Sequence, residues 1–435
     1  MTFSRLVFLF SFFSLAAIGV FYYGVKAQTH YLPPLPQISW VSSQVLGVIS
    51  PLDKDLFADP VRAADSDPIE FRLEGQEQPG LIALSFDIAS RHTVIRIVDR
   101  QGEIVHQWRP IWKEIWPKGE GNFAHRPVDS IFLHGLVILP DGSFVSNFEW
   151  QSTFRMDVCG DVMWKLDNLG HHSVDLASDG TLWVSAESPI MKGPTGLIAH
   201  RTPLQIFLLQ QIDLDGNVLR TINLMEAMLN NGLSGLLFSQ ATPGPYLWTE
   251  GDTLHLNDVE AFPAGIDSAV FNEGDLVVSL ANMNTLLVID PNTQEIKWTF
   301  IGRTVRQHDP DFTRDGTISV HDNQTHLGSD PTQTPYSRII EIDPETGALW
   351  TVIGRDADRP FFSRITGSHE RLDNGNVLVA ASQQGRVLEY TETGRLIWRY
   401  DARQSEMKNG RVYNVQMLPE HMDKAFFEKA KERCG

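Results

Sequence analysis

Residues 317–326 read TISVHDNQTH: a strand-like stretch, Thr317 to Val320, and then His321, Asp322, Asn323 and His326 within six positions. Imidazole, carboxylate and carboxamide at this density can close a solvated turn, ligate a metal ion or wall an active site. Strand alternation puts His321 and Asn323 on one face and turns Asp322 away, so the first two are candidates for chemistry and Asp322 for structure. Other histidines keep a common phase. His134, His172 and His308 each stand seven residues before an aspartate of an Asp-Gly turn, namely Asp141, Asp179 and Asp315. His255 in LHLND and His369 in SHERLDNGN open comparable stretches. One such histidine can merely pin a strand through a backbone hydrogen bond, whereas five at matching places point to a shared site.

What is missing narrows the chemistry. No tight H-x-H or HExxH spacing occurs, which argues against a zinc or copper centre, and no metal ligand is assigned. There is no GxxxxGK[ST] phosphate cradle and no G-x-S-x-G elbow, and no cofactor is expected. The net charge of −18, from 54 acidic against 36 basic residues, excludes a nucleic-acid partner but leaves room for a small anion in a locally basic pocket. The two cysteines, Cys159 and Cys434, permit one disulfide without requiring it.

The elements that must position these groups are short strands. From about residue 80 the chain repeats a strand, an Asp- or Asn-Gly turn, a second strand, and a hairpin that ends in Trp, as in DRQGEIVHQW (99–108), DPNTQEIKW (290–298) and DPETGALW (343–350). Joined, they give six four-stranded units at about 80–108, 131–164, 170–223, 254–300, 307–353 and 366–400, with GRVYNVQML (410–418) as the strand that closes a ring. Fixed-period units of this kind mean an all-β protein, a six-bladed β-propeller, whose first strands line a central channel. Ahead of it, residues 6–25 form an uncharged run of 20 between Arg5 and Lys26, long enough to cross a bilayer as a helix. The expected organisation is a membrane anchor or signal peptide (1–27), a Pro-rich stalk (28–79), the propeller (80–418) and a C-terminal tail (419–435). It implies a single-pass inner-membrane protein with its propeller in the periplasm.

The order LHLND (254–258), QHDPDFTRDG followed by HDN (307–323), YSRIIEIDPETGALW (336–350) and SHERLDNGNVLVA (368–380) resembles the bacterial arylsulfotransferase (arylsulfate sulfotransferase) family over roughly residues 130–400. The resemblance implies an exported six-bladed propeller. Such a protein moves a sulfuryl group from an aryl sulfate ester to a phenolic acceptor through a transiently sulfated histidine, with no nucleotide donor. It also implies roles. His255 matches a channel histidine, His321 and Asn323 match an H-x-N pair, Arg338 in SRIIEID matches an arginine, and His369 matches the nucleophile. The repeat phase adds His308, beside Arg338 and Asn323, as a candidate substrate-binding residue. The chemistry suits these types: a neutral imidazole attacks an anionic ester, while Arg338 and an imidazolium at His255 or His321 hold its oxygens. The competing expectations are a non-catalytic, membrane-anchored propeller that binds a ligand or partner protein, and a metal-dependent hydrolase on the same scaffold.

Overall fold

The structure is a computed structural model that describes residues 3–30, 69–89, 92–117, 132–188, 197, 200–241, 249–329, 332–405 and 408–434. It divides into two units, residues 1–55 and 56–435. The first holds one helix, Phe3–His30. Phe12, Phe13, Leu15, Ile18, Val20 and Phe21 are exposed on it. The expected 20-residue span falls on this helix, with the side chains of 6–10, 24 and 25 outside the described residues. Among the described residues no helix is long and apolar enough to cross a membrane. Most of the expected stalk, residues 31–68, also lies outside the described residues.

Among the described residues the second unit holds six antiparallel sheets of four or five strands in ring order, a β-propeller, with two small two-stranded sheets besides. Blade one takes its innermost strand from the end of the chain: Val412–Met417 pairs with Ile82–Ala89, followed by His92–Val98 and Ile104–Trp108. The innermost strands of blades two to six are Leu133–Ile138, Val174–Leu176, Leu256–Ala261, His308–Phe312 and His369–Arg371. Two expected boundaries move. Ile69–Arg72, assigned to the stalk, adds a fifth, outer strand to blade six. The C-terminal tail carries the helix Lys424–Lys431, whose Phe427 and Ala430 enter the apolar core between blades one and two.

Two forces join neighbouring blades. Alternation gives each sheet two apolar faces, and the buried apolar residues fall into six clusters, one per blade interface. At the rim, the repeated Trp is a staple. The indole N–H of Trp108 donates to Asp157 O at 2.9 Å, Trp164 to Leu214 O at 2.8 Å, Trp298 to Pro344 O at 3.1 Å and Trp398 to Arg100 O at 3.1 Å. Each carbonyl belongs to the next blade round the ring. An indole N–H taken from water needs such a partner, which Phe could not use; the corresponding Trp350 of blade five is exposed instead.

Cys159, in the outer hairpin of blade two, is bonded to Cys434, so a disulfide ties the C-terminal helix to the propeller across 275 residues of chain. Cross-links of that span limit the unfolded ensemble most. Cys159→Ser should lower stability by about 2–5 kcal/mol. Thermal melts of the variant, and of the wild type with and without reductant, should show matching losses; a melting temperature unmoved by both changes would contradict the staple.

Candidate active site in the channel

The innermost strand of every blade pairs on one side only, leaving backbone N–H groups at every second residue turned to the axis. Side chains of the preceding blade accept them. Asn414 Oδ1 takes Gly135 N (2.9 Å) and Gln416 Oε1 takes Ile138 N (2.8 Å). Glu149 Oε2 takes His172 N (2.9 Å), and Asp175 Oδ2 takes Ala261 N (3.0 Å). Glu260 Oε2 takes Phe312 N (3.0 Å), Asp309 Oδ2 takes His369 N (2.5 Å) and Glu370 Oε2 takes Met417 N (2.6 Å). All six blade-to-blade steps are bridged in one direction.

Four residues back from the last paired position of each inner strand stand Tyr413, His134, His172, Asn257, His308 and Gly367, in blades one to six. This ring is the imidazole-rich level of the channel. The ring of His172 lies 4.5 Å from His134, 5.0 Å from His255 and 6.4 Å from His308, centroid to centroid. Tyr413 lies 5.6 Å from His134, and Trp150 stacks on His171 at 4.0 Å. His255 sits just before its strand, with φ of 52° and its Nδ1 at 2.5 Å from Asp252 Oδ2. Glu149 reaches His134 Nδ1 with one oxygen and His172 Nδ1 with the other, each at 3.2 Å. Burial pushes the Glu149 carboxyl up, but its imidazole neighbours and the His172 N–H outweigh that and hold it below the usual value. Arg306 supplies a partly exposed guanidinium that donates to Asn282 Oδ1. Burial lowers its pKa, and the nearby Asp252 carboxylate works the other way and supports its charge.

The tautomer of His308 follows from its neighbours. Asn323 Nδ2 donates to Ser363 O (2.9 Å) and Thr366 O (2.7 Å), which leaves Asn323 Oδ1 as the acceptor 2.8 Å from His308 Nδ1. Arg306 O, 3.0 Å from the same nitrogen, is also an acceptor. Nδ1 therefore carries the proton and Nε2 keeps its lone pair. Burial holds the His308 pKa well below its ordinary value, so the ring is neutral.

Several expected roles move. His255 and His308 lie together at the imidazole level, as a shared site requires. Asn323 is fully buried and holds His308 through its amide, instead of facing a ligand. His321 is fully buried against Phe361 and Gly367, where a Cβ would come within 2.6 Å of its ring. Burial, then the charge at His369, pushes its pKa to about 3, so it offers no imidazolium. Arg338 sits on the third strand of blade five and donates through Nε to Asp322 Oδ2 at 2.8 Å, so its charge is answered inside the blade. His369 stands two residues deeper than the imidazole ring. Its Nδ1 faces Asp309 Oδ2 at 2.8 Å and its Nε2 meets Ser319 Oγ at 2.6 Å, which leaves neither nitrogen free to attack. Glu149, His171, Trp150, Asp252 and Arg306 were missed by sequence reasoning; only the HH doublet at 171–172 was a visible signal.

Below the imidazoles, a cavity of about 700 Å³ is lined by Asp175, Asp258, Glu260, Asp309, Asp311 and Glu370. Burial first, and then mutual repulsion among several of them, raises these carboxyls: Asp175 to about 6, Asp309 and Glu370 to about 7, and Asp258, Glu260 and Asp311 well above the usual value. A protonated carboxyl still accepts an edge N–H, so the structural role survives neutralisation.

A family model described as Arylsulfotransferase (ASST) matches residues 135–403. No curated protein matches the sequence. Among solved structures, a protein of unknown function from Bacteroides caccae is similar at 12% identity with a TM-score of 0.47, covering 78% of this chain and 100% of that one. TolB from Acinetobacter baumannii is similar at 14% identity and a TM-score of 0.43, covering 77% and 66%. A catalytically inactive virginiamycin B lyase from Staphylococcus aureus with quinupristin is similar at 10% identity and a TM-score of 0.41, covering 80% and 98%. Likenesses this distant carry nothing about chemistry.

Glu370 gives a direct test of the acid level. Its folded pKa of about 7 lies above the ordinary 4.5, so the folded state binds the extra proton, and ionisation costs stability as pH rises through that window. Glu370→Gln keeps the acceptor for Met417 N and removes the charge. It should be neutral near pH 4.5 and stabilising above pH 7, by at most on the order of 3 kcal/mol. Melting curves across that range check this; a variant equally or less stable than wild type at pH 8 would contradict it.

Proposed function

Since the chain belongs to the arylsulfotransferase (ASST) family, with residues 135–403 matched, we propose that it moves a sulfuryl group from an aryl sulfate ester to a phenolic acceptor at the imidazole level of the channel, through a sulfohistidine on His308. The observation that carries the assignment is the fixed tautomer of His308, with Nδ1 held by Asn323 Oδ1 and Arg306 O and a neutral Nε2 lone pair. A neutral nucleophile meets an anionic ester without charge repulsion.

The steps balance without a nucleotide. His308 Nε2 attacks sulfur, the N–S bond forms and the S–O bond to the aryl group breaks. The leaving aryl oxide takes a proton from His255, which Asp252 orients. The acceptor phenol then gives its proton back to His255 and attacks the same sulfur, and the N–S bond breaks. Arg306, partly exposed at the same level, is the cation for the sulfuryl oxygens, in place of Arg338. Trp150, half-buried and stacked on His171 with one face, is the aromatic wall proposed for the aryl ring. Asn323 is a positioning residue that acts through His308.

The Cys159–Cys434 disulfide suits an oxidising compartment, and the uncharged run at 6–25 suits an export signal or anchor. The proposed location is therefore the outer face of the inner membrane, with the propeller in the periplasm. Protease added to spheroplasts should digest the propeller; full protection until lysis would place it inside.

Turnover of 4-nitrophenyl sulfate with and without a phenol tests the activity. Nitrophenol release should depend on the acceptor, vanish in His308→Ala, and fall roughly 10- to 100-fold in Asn323→Ala, the usual loss when a partner that orients an imidazole is removed. No turnover with any acceptor would instead indicate a ligand-binding propeller. Turnover that survives His308→Ala but not His369→Ala would return the nucleophile to His369.

A further inference from the structure

We propose that His134, Glu149 and His172 form a binding site for one first-row divalent cation of the zinc type, at the seam between blades two and three. This goes beyond sulfuryl transfer and does not rest on it. The three side chains offer ligand atoms within 4.8 Å of one another, and all three are buried. They come from three places in the chain: the phase position of blade two, the turn after its second strand, and the phase position of blade three. No short-range spacing motif joins them.

The spacing admits an ion. One Glu149 oxygen lies 3.2 Å from His134 Nδ1 and the other 3.2 Å from His172 Nδ1. A tetrahedral zinc ion with nitrogen and oxygen ligands holds neighbouring ligand atoms roughly 3.3–3.5 Å apart. Hydrogen bonds between N–H and O centre nearer about 2.9–3.0 Å, so both contacts sit at their long end. His171 borders the site. Its Nδ1 lies 2.9 Å from that of His172, an N–H···N hydrogen bond that an ion bound at His172 Nδ1 displaces. His172 also holds φ of 53°, a left-handed conformation that a non-glycine residue keeps only where its surroundings impose it.

Charge completes the argument. Glu149 is a buried carboxylate, and its ion-pair partners among the described residues are the two imidazoles, with no lysine or arginine among them. A buried carboxylate calls for a full positive charge beside it. Two imidazoles with one carboxylate select zinc, iron or a similar first-row ion over calcium or magnesium, which favour oxygen ligands alone. The rival account is a carboxylate–imidazolium pair with no ion.

The full-length protein, stripped with chelator, should be titrated with Co(II) and then with competing Zn(II), following visible absorption, with elemental analysis for stoichiometry. One ion per chain is expected, with a rise in melting temperature on loading. His134→Ala, His172→Ala and Glu149→Gln should lose stoichiometric binding, while His421→Ala on the exposed surface keeps it; circular dichroism establishes that each variant folds. If a variant fails to fold, the wild-type stoichiometry and melting shift decide alone. Failure of the wild type to retain an ion, or equal binding by the three folded variants, overturns the site. Assaying 4-nitrophenyl sulfate on stripped and reloaded protein separates the two claims. Turnover by the stripped protein leaves sulfuryl transfer standing whatever the titration gives, and stoichiometric binding without turnover leaves the ion site standing and removes sulfuryl transfer.

Discussion

Each blade presents its innermost strand to the axis as an unpaired edge, and the channel can exist only if those backbone N–H groups find acceptors. In open sheets an edge is a liability that invites association. Here the preceding blade answers it with the oxygens of Asn414 and Gln416, Glu149, Asp175, Glu260, Asp309 and Glu370. The requirement recurs every second residue, so the acceptors do too, and a strand-period pattern of polar side chains lines the axis. Indole N–H groups do the corresponding work at the rim, where Trp108, Trp164, Trp298 and Trp398 each reach into the next blade.

The chemistry is a modification of this belt. A channel already committed to polar side chains needs little change to become a site: at the outermost phase of the ring, histidine replaces the simple acceptor in blades two, three and five. Asn323 then turns an imidazole into a directed lone pair by spending its own amide on two carbonyls. Deeper in, the same belt is nearly all carboxyl, and burial raises the pKa values of those groups. The channel thus changes from imidazole to carboxyl along its axis, which confines the imidazoles proposed for sulfuryl transfer to one level.

The repeat was legible because it is local: turn glycines, strand alternation and the terminal Trp lie within ten or so residues of one another. Six blades, the closing strand at 410–418 and the phase of His134, His172 and His308 follow from it. His369 stands out of phase, six residues before its turn glycine, Gly375, where the other three stand eight before Gly142, Gly180 and Gly316. Gly367 holds the histidine phase in blade six and gives its space to the ring of His321. Arg338 looked like a free cation because its partner, Asp322, faces it only across a strand pair. Glu149 and Arg306 gave no sign at all, since their roles depend on a neighbouring blade and on turns that no period governs.

In the proposed reaction sulfur is captured by Nε2 of His308, whose Nδ1 proton Asn323 Oδ1 and Arg306 O hold. Brief mixing with an aryl sulfate and no acceptor, followed by peptide mass spectrometry without acid, locates the captured group. An adduct of about 80 Da, the mass expected for a sulfuryl group held covalently by the nucleophile, should appear on the peptide that contains His308 and be discharged by added phenol. An adduct confined to His369 or to any other residue would contradict the account.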